Sequence, residues 1–289
     1  MAIDLEVALS AEPTVREASW TDRDVMLYQL GLGAGVNALD PAELTWVYEK
    51  GLKVLPTFAM VAGQGVSAGV LPAASMSMPG IDIDLRKILH GGQSLTLHAP
   101  IPSTGTARIS TRIADVWDKG KAAVIVLETA AADSDGNPLW TTGMQIWARG
   151  EGGFGGGAGP EVVAGVPDRA PDAVLTSATS SSQALLYRLS ADMNPLHADP
   201  AFAKMAGFDA PILHGLASYG IVCKAVVDGV LGGDPSRVKN YSVRFAGSLF
   251  PGESITTSVW QDGNTLTLAA TCPERENSPV LTHATMEIN

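Results

Sequence analysis

The chain has 289 residues, 19 basic side chains against 30 acidic ones, a formal net charge of −11 and 46% apolar residues. That length suits two domains or one large one, and the apolar fraction excludes wholesale disorder. The acidity excludes nucleic acid as a bulk partner, since a phosphate backbone needs a basic footprint, yet a small anionic ligand needs only one or two local cations.

The opening, MAIDLEVALSAEP, carries acids where a signal peptide needs a basic end and an apolar stretch. No apolar run reaches the ~18 residues of a membrane helix. Cys223 and Cys272 show no metal or redox spacing, and the final MEIN is no peroxisomal address. A cytoplasmic protein with no membrane partner is expected.

The first half begins its apolar text with Leu27-Tyr28-Gln29-Leu30. A small-residue stretch introduced by proline follows, PTFAMVAGQGVSAGV from Pro56, and predicts a buried helix. The runs SLTLHAPIP, TARISTRIADVWD, AAVIVLETAAAD and LWTTGMQIWA then read as strands, with DKGK and DSDGN as turns. Glycine at the density of ARGEGGFGGGAGP, residues 148–160, reads as a connector that runs loosely on to Asp172. The expected divisions are therefore 1–150, a linker 151–172, and 173–289.

The second half rhymes with the first. Leu186-Tyr187-Arg188-Leu189 opens it and reads as a strand-like run ending at Ser190. A helix is predicted from Asp199-Pro200, where Asp caps and Pro suits the first turn. PILHGLASYGIVCKAVV from Pro211 predicts a second buried helix, and YSVRFAG, SITTSVWQ, TLTLAATC and VLTHATMEI predict strands, with QDGN as a turn. One apolar helix followed by a run of antiparallel strands, given twice, is an α+β architecture. It describes a tandem (double) hot-dog fold, each half a long buried helix wrapped by a curved antiparallel sheet.

The text richest in chemistry is Asp192-Met193-Asn194-Pro195-Leu196-His197. Asn194-Pro195 forces a non-helical bend, because the residue before proline avoids the α region. That bend turns Asp192 and His197 toward one point, where a carboxylate and an imidazole hold one water for acid–base work near neutral pH. An isolated D-x-N-P is as often plain turn chemistry. The balance shifts with Leu213-His214-Gly215 at the head of the second buried helix, where a bare glycine N–H suits a developing oxyanion. His98 and His283 read as ordinary. No two histidines stand at i, i+4 and no Cys/His cluster exists, so no metal is expected. GLGAG at 31–35 lacks the third glycine of a dinucleotide fingerprint, and GGFGGGAG lacks the Lys-Ser/Thr of a phosphate loop, so no cofactor is expected either.

YRLSADMNPLHADPAFAKMAGFDAPILHGL resembles the signature of the MaoC-like, (R)-specific enoyl-CoA hydratases, the type 2 family that includes the hydratase unit of peroxisomal multifunctional enzyme type 2. WTDRDVMLYQLGLGAG, VLPTF, ILHGGQ, WDKGKAAVIV and RGEGGFGG extend the resemblance over nearly the whole chain. It implies that Asp192, Asn194 and His197 hold the catalytic water and that the Gly215 N–H binds the thioester oxygen. It also implies contacts to acyl-CoA from His90, Gly91, Lys119 and Phe245. A turn lysine such as Lys119 offers a point charge to a CoA phosphate. Ala191 departs from the family, which carries glycine before the aspartate. The first half lacks D-x-N-P-L-H, which implies one site per chain and a first half remodelled to hold the acyl group.

The expected reaction is hydration of a trans-2-enoyl-CoA to an (R)-3-hydroxyacyl-CoA in fatty-acid or steroid side-chain oxidation, by a homodimer. Which of Asp192 and His197 is formally the base is open at this level. The opening segment and linker resemble actinobacterial members linked to steroid side-chain breakdown, which implies a bulky or branched acyl group. The alternatives are a hot-dog acyl-CoA thioesterase and a non-catalytic acyl-CoA-binding subunit.

Overall fold

The structure is a computed structural model that describes residues 3–64, 75–84, 87–161, 165–190 and 192–289. Its helices are α1 (Leu5–Ser10), α2 (Asp22–Gly31), α3 (Pro41–Leu44), α4 (Gln183–Tyr187), α5 (Pro200–Met205) and α6 (Gly215–Gly229). The strands of the first half are β1 (Thr14–Trp20), β2 (Ser75–Met78), β3 (Ile81–Asp84), β4 (Ile88–Leu97), β5 (Gly105–Asp118), β6 (Ala122–Ala132) and β7 (Pro138–Arg149). Those of the second are β8 (Ala173–Ala178), β9 (Val238–Phe245), β10 (Ser254–Asp262), β11 (Thr265–Cys272) and β12 (Ser278–Ile288).

Ten of these strands form one antiparallel sheet in the order β1-β5-β6-β7-β4-β9-β12-β11-β10-β8, while β2 and β3 pair separately. The order reads the same from either edge once the halves are matched, β1 with β8, β5 with β10, β6 with β11, β7 with β12 and β4 with β9. The repeat heard in the sequence is thus a near-twofold. Its axis runs through the β4–β9 pairing, where Ser94 faces Ser242 and Leu95 faces Tyr241. The curved sheet expected of each half is present, and the two are continuous through this pairing.

α6 is the apolar helix predicted from Pro211. Ala217 through Cys223 are all buried, as a helix apolar on every side must be. Gly220 lets the first half press against it: a Cβ there would stand 2.7 Å from a Leu32 methyl and 2.8 Å from the Tyr28 hydroxyl. Lys224 on the same helix pairs with Glu43 at 2.8 Å and Asp228 at 2.7 Å, and Asp228 also accepts from the Trp46 indole at 3.1 Å. In the first half, PTFAMVAGQGVSAGV forms a short 3-10 helix over Pro56–Met60, and residues 65–74 lie outside the described residues.

The strand expected up to Ser190 is the helix α4, followed by a turn. Gln183, Ala184 and Tyr187 are its buried residues, the i, i+1, i+4 spacing of a helix face. That face meets α2. Gly31 abuts Tyr187, whose Cα would lie 3.0 Å from an added Cβ, and the Tyr28 and Tyr187 rings stand 6.0 Å apart. The Leu-Tyr repeat therefore marks two helices that meet near the twofold.

The glycine-rich connector is docked on the β5–β6 turn. The Asp118 carboxylate accepts N–H groups of Gly120 at 2.8 Å and of Gly153 and Gly155 at 2.9 Å each. Those donors hold its carboxyl below the ordinary carboxylate value.

Two apolar clusters share the inner face of the first half. Trp20, Trp140, Ile109 and Ala131 belong to the main core, whereas Ile113, Val116, Ile125, Ile146 and Ala148 form a second cluster with Ile81 and Ile83 of the β2–β3 hairpin. Along β7, alternate residues share a face, so Thr142 and Met144 lie between Trp140 of one cluster and Ile146 of the other. A cavity of about 300 Å³ occupies that gap, with Leu127, Thr129, Thr142 and Met144 among its lining.

Candidate active site

The loop after α4 is built from short-range hydrogen bonds. Asp192 Oδ1 accepts the Asn194 N–H at 3.0 Å, and Asn194 Oδ1 accepts the Leu196 N–H at 3.0 Å. Pro195–His197 then forms a 3-10 turn, and Asp199 caps α5 by accepting from Ala201 at 2.8 Å and Phe202 at 3.3 Å. Two consecutive turns of this kind need Asp or Asn at the first position and tolerate Pro next, which is why D-x-N-P folds as it does. Ala191 lies outside the described residues.

The bend brings His197 Nε2 to 3.9 Å from Asp192 Oδ2. The His197 ring is buried, and its Nδ1 donates to the Ile212 carbonyl at 2.8 Å. A carbonyl only accepts, so Nδ1 carries the hydrogen and Nε2 presents a bare lone pair toward the carboxylate. Neither atom has a hydrogen to give the other, and one water within about 2.8 Å of both would fit between them and donate to each.

Gly215 is the first residue of α6 and is exposed. Its N–H has no intrahelical partner and lies at the positive end of the helix. A Cβ at Gly215 would stand 3.2 Å from the Phe245 ring, and that ring lies 4.6 Å from the His90 ring. His90 Nε2 is 3.1 Å from Gln93 Oε1, and Gln93, Asp192, Tyr187 and Leu216 line one end of the inner cavity, which reaches Arg16 on β1 at the other.

Asp192 and His197 form one group and Gly215, Phe245 and His90 a second, and His214, stacked on His197 and next to Gly215 in the chain, joins them. Gly91 sits beside His90 at a bulge in the β4–β7 pairing. Asn194 builds the turn through Oδ1. Lys119 stands apart, at the β5–β6 turn three strands from β4, with its amine donating to the Ala158 carbonyl and lying 5.5 Å from the Trp117 ring centroid.

Sequence spacing missed His214, although L-H-G was read for its glycine. Among the described residues, the ligand-type atoms of Asp192, His197 and His214 lie within 4.8 Å of one another. The His197 and His214 rings are stacked, centroids 3.7 Å apart and planes at 27°, so their edges run side by side rather than converging as ligands around a metal do.

Burial pushes the His197 pKa below its ordinary 6.5, against opposing pulls from the Ile212 hydrogen bond and the Asp192 charge. Burial pushes His90 down to about 4, and burial together with the neighbouring His197 pushes His214 down as well. A role for the bare Nε2 as a base therefore predicts an acid limb of kcat/KM below pH 6.5. The unfolded chain binds protons at these three histidines from about pH 6.5 downward while the native chain resists them. Their contribution to stability is complete above that pH and declines as pH falls toward their native values. Activity profiles and melting temperatures from pH 7 to pH 4 check both; an acid limb centred above 6.5 contradicts that role for Nε2.

Residues 19–150 match the family described as the MFE-2 hydratase 2 N-terminal domain, and residues 162–277 match the MaoC-like domain. Enoyl-CoA hydratase ChsH3 of Mycobacterium tuberculosis is 50% identical over 281 residues, 97% of each chain. The crystal structure of a MaoC-like dehydratase from Phytophthora capsici is similar with a TM-score of 0.87 and 29% identity, covering 99% of this chain and 98% of that one. A second Mycobacterium tuberculosis protein, described as having a double hot-dog fold, matches with a TM-score of 0.55 and 13% identity over 96% of both chains, a likeness of fold alone. The fold is a double hot dog. Among the described residues no helix is long and apolar enough to cross a membrane.

Proposed function

The chain belongs to the MaoC-like hydratases that carry an MFE-2 hydratase 2 N-terminal domain, and from that premise we propose that it adds water across the double bond of a trans-2-enoyl-CoA, giving an (R)-3-hydroxyacyl-CoA. The observation that carries this reading is the bare His197 Nε2 facing Asp192 Oδ2 across 3.9 Å, on the loop beside the N-terminus of α6. Water held by those two acceptors bonds through oxygen to C3 as Nε2 takes one of its protons. The electron pair of the C2–C3 bond moves toward the thioester carbonyl, and the Gly215 N–H stabilises the oxygen that gains charge. The imidazolium then gives a proton to C2, which closes the balance: one water added, nothing released. Asp192 orients the water and stabilises the imidazolium.

The cavity between the two apolar clusters starts at Gln93 and Asp192 and runs across the first-half strands, which supports that half as the holder of the acyl group. His90, Gly91 and Phe245 wall the approach to Gly215, and the pairing of Lys119 with a CoA phosphate belongs to the same proposal. A thioesterase reading needs attack at the carbonyl carbon, and a pure binding module has no use for a histidine held in one tautomer beside a carboxylate. Incubation with crotonyl-CoA tests all three. Loss of the conjugated enoyl-thioester absorbance without free CoA is expected, with a product oxidised by an (R)- and not an (S)-specific 3-hydroxyacyl-CoA dehydrogenase. Release of free CoA, or no reaction with this or longer enoyl-CoAs, overturns the proposal.

A further inference from the structure

His214 touches each part of the site without being one of its reacting groups. It is 2% exposed, and its Nε2 stands 3.1 Å from the main-chain carbonyl of Asp192. Its ring is stacked on His197, with the Tyr187 ring 4.8 Å away. It is also the cap residue of α6, immediately before Gly215. We propose that His214 is a positioning residue that fixes the Asp192 carboxylate, the His197 imidazole and the Gly215 N–H in one register.

The argument turns on the tautomer. The Asp192 carbonyl can only accept, so the hydrogen of His214 is on Nε2 and Nδ1 is bare. Nδ1 is buried and has no hydrogen-bond partner among the described residues. A buried nitrogen without a partner is a cost to the fold. A phenyl ring in this place would stack on His197 and Tyr187 without that cost. What the phenyl lacks is the donor to Asp192, whose own side chain is 48% exposed and draws little restraint from packing. The imidazole is therefore kept for its Nε2–H. The two stacked rings carry opposite tautomers: His197 holds its hydrogen on Nδ1 for the Ile212 carbonyl, and His214 holds its own on Nε2 for the Asp192 carbonyl. Each backbone carbonyl sets one ring, and the stack leaves the free Nε2 of His197 where the water is needed.

The test begins with the unaltered protein. Nitrogen-15 histidine spectra near neutral pH are expected to show His214 protonated at Nε2 and His197 at Nδ1. Replacement follows in two forms, His214→Phe, which keeps the stack and loses the donor, and His214→Gln, which restores an N–H at the distance of Nε2. The Phe form is expected to lose kcat on the order of 10²-fold, the cost of misplacing a catalytic group by about 1 Å, with KM for the acyl-CoA changed far less. The Gln form is expected to recover most of that loss. A purely structural role would injure both forms alike and move KM with kcat. Nδ1 protonation of His214, full turnover in the Phe form, or equal losses in both forms would each overturn the proposal. If the Phe form does not fold, the tautomer of the unaltered protein and the turnover of the Gln form decide. The proposal rests on the hydration reading, and the two fail differently: an unaltered protein inactive on every enoyl-CoA defeats the reaction, whereas an active one with the wrong tautomer defeats only the role of His214.

Discussion

Replacing Asp192 with Asn, or His197 with Gln, is expected to lower kcat for enoyl-CoA hydration by roughly 10²-fold or more, the usual worth of a positioned acid–base group. The two changes remove different things. Asn at 192 keeps the side-chain oxygen that accepts the Asn194 N–H, so the turn stands, but it loses the negative charge facing the imidazole. Gln at 197 sets its amide near the place of Nε2, so it offers no basic nitrogen to the water and gives up the bond that Nδ1 makes to the Ile212 carbonyl. Because the two groups act on one water, the double variant should be little worse than the poorer single one. Melting temperature should fall little in the Asp192 variant, whose side chain is half exposed, and more in the variant of the buried His197. The measurement is kcat at a pH well above the acid limb, with crotonyl-CoA saturating. Near-normal turnover in either variant, or losses that multiply in the double variant, would remove the shared water from the mechanism.

The convergence of Asp192 and His197 was legible because it is local. Asp192, Asn194 and His197 lie on a single loop, and the turns that converge them depend on residues two apart, which a linear reading can see. The strand–turn–strand text was legible for the same reason: DKGK, DSDGN and QDGN each join neighbouring strands. What escaped the reading is non-local. α4 is only five residues long, too short for a helical period to stand out, and its Leu-Leu-Tyr text suits a strand equally well until α2 is seen packed on its buried face. His214 stands 17 residues beyond His197, and only the packing of α6 beside the loop stacks the two rings. The Ala158 carbonyl that accepts from the Lys119 amine comes from the connector, 39 residues further on, and was hidden for the same reason. The joint sheet was invisible too, because the β4–β9 pairing joins strands some 150 residues apart.

The role assigned to the first half predicts a change of chain-length preference. Thr142 points from β7 into the gap between the two apolar clusters, paired with Thr129 on one side and Leu95 on the other. Thr142→Trp would put an indole into a cavity of about 300 Å³, which leaves too little room for a long acyl chain. If about four methylenes of a dodec-2-enoyl group lose burial at ~0.8 kcal/mol each, the loss is about 3 kcal/mol, or roughly 10²-fold. A crotonyl group carries a single methyl beyond its double bond and has no such methylenes to lose. The variant should therefore lower kcat/KM for dodec-2-enoyl-CoA relative to crotonyl-CoA by roughly that factor. Thr142→Ala, which enlarges the cavity, should leave the ratio unchanged or raise it. An unchanged ratio in the Trp variant, with the protein folded, would mean that the chain leaves the site by another route. The remodelled first half would then have to be explained by something other than the acyl group.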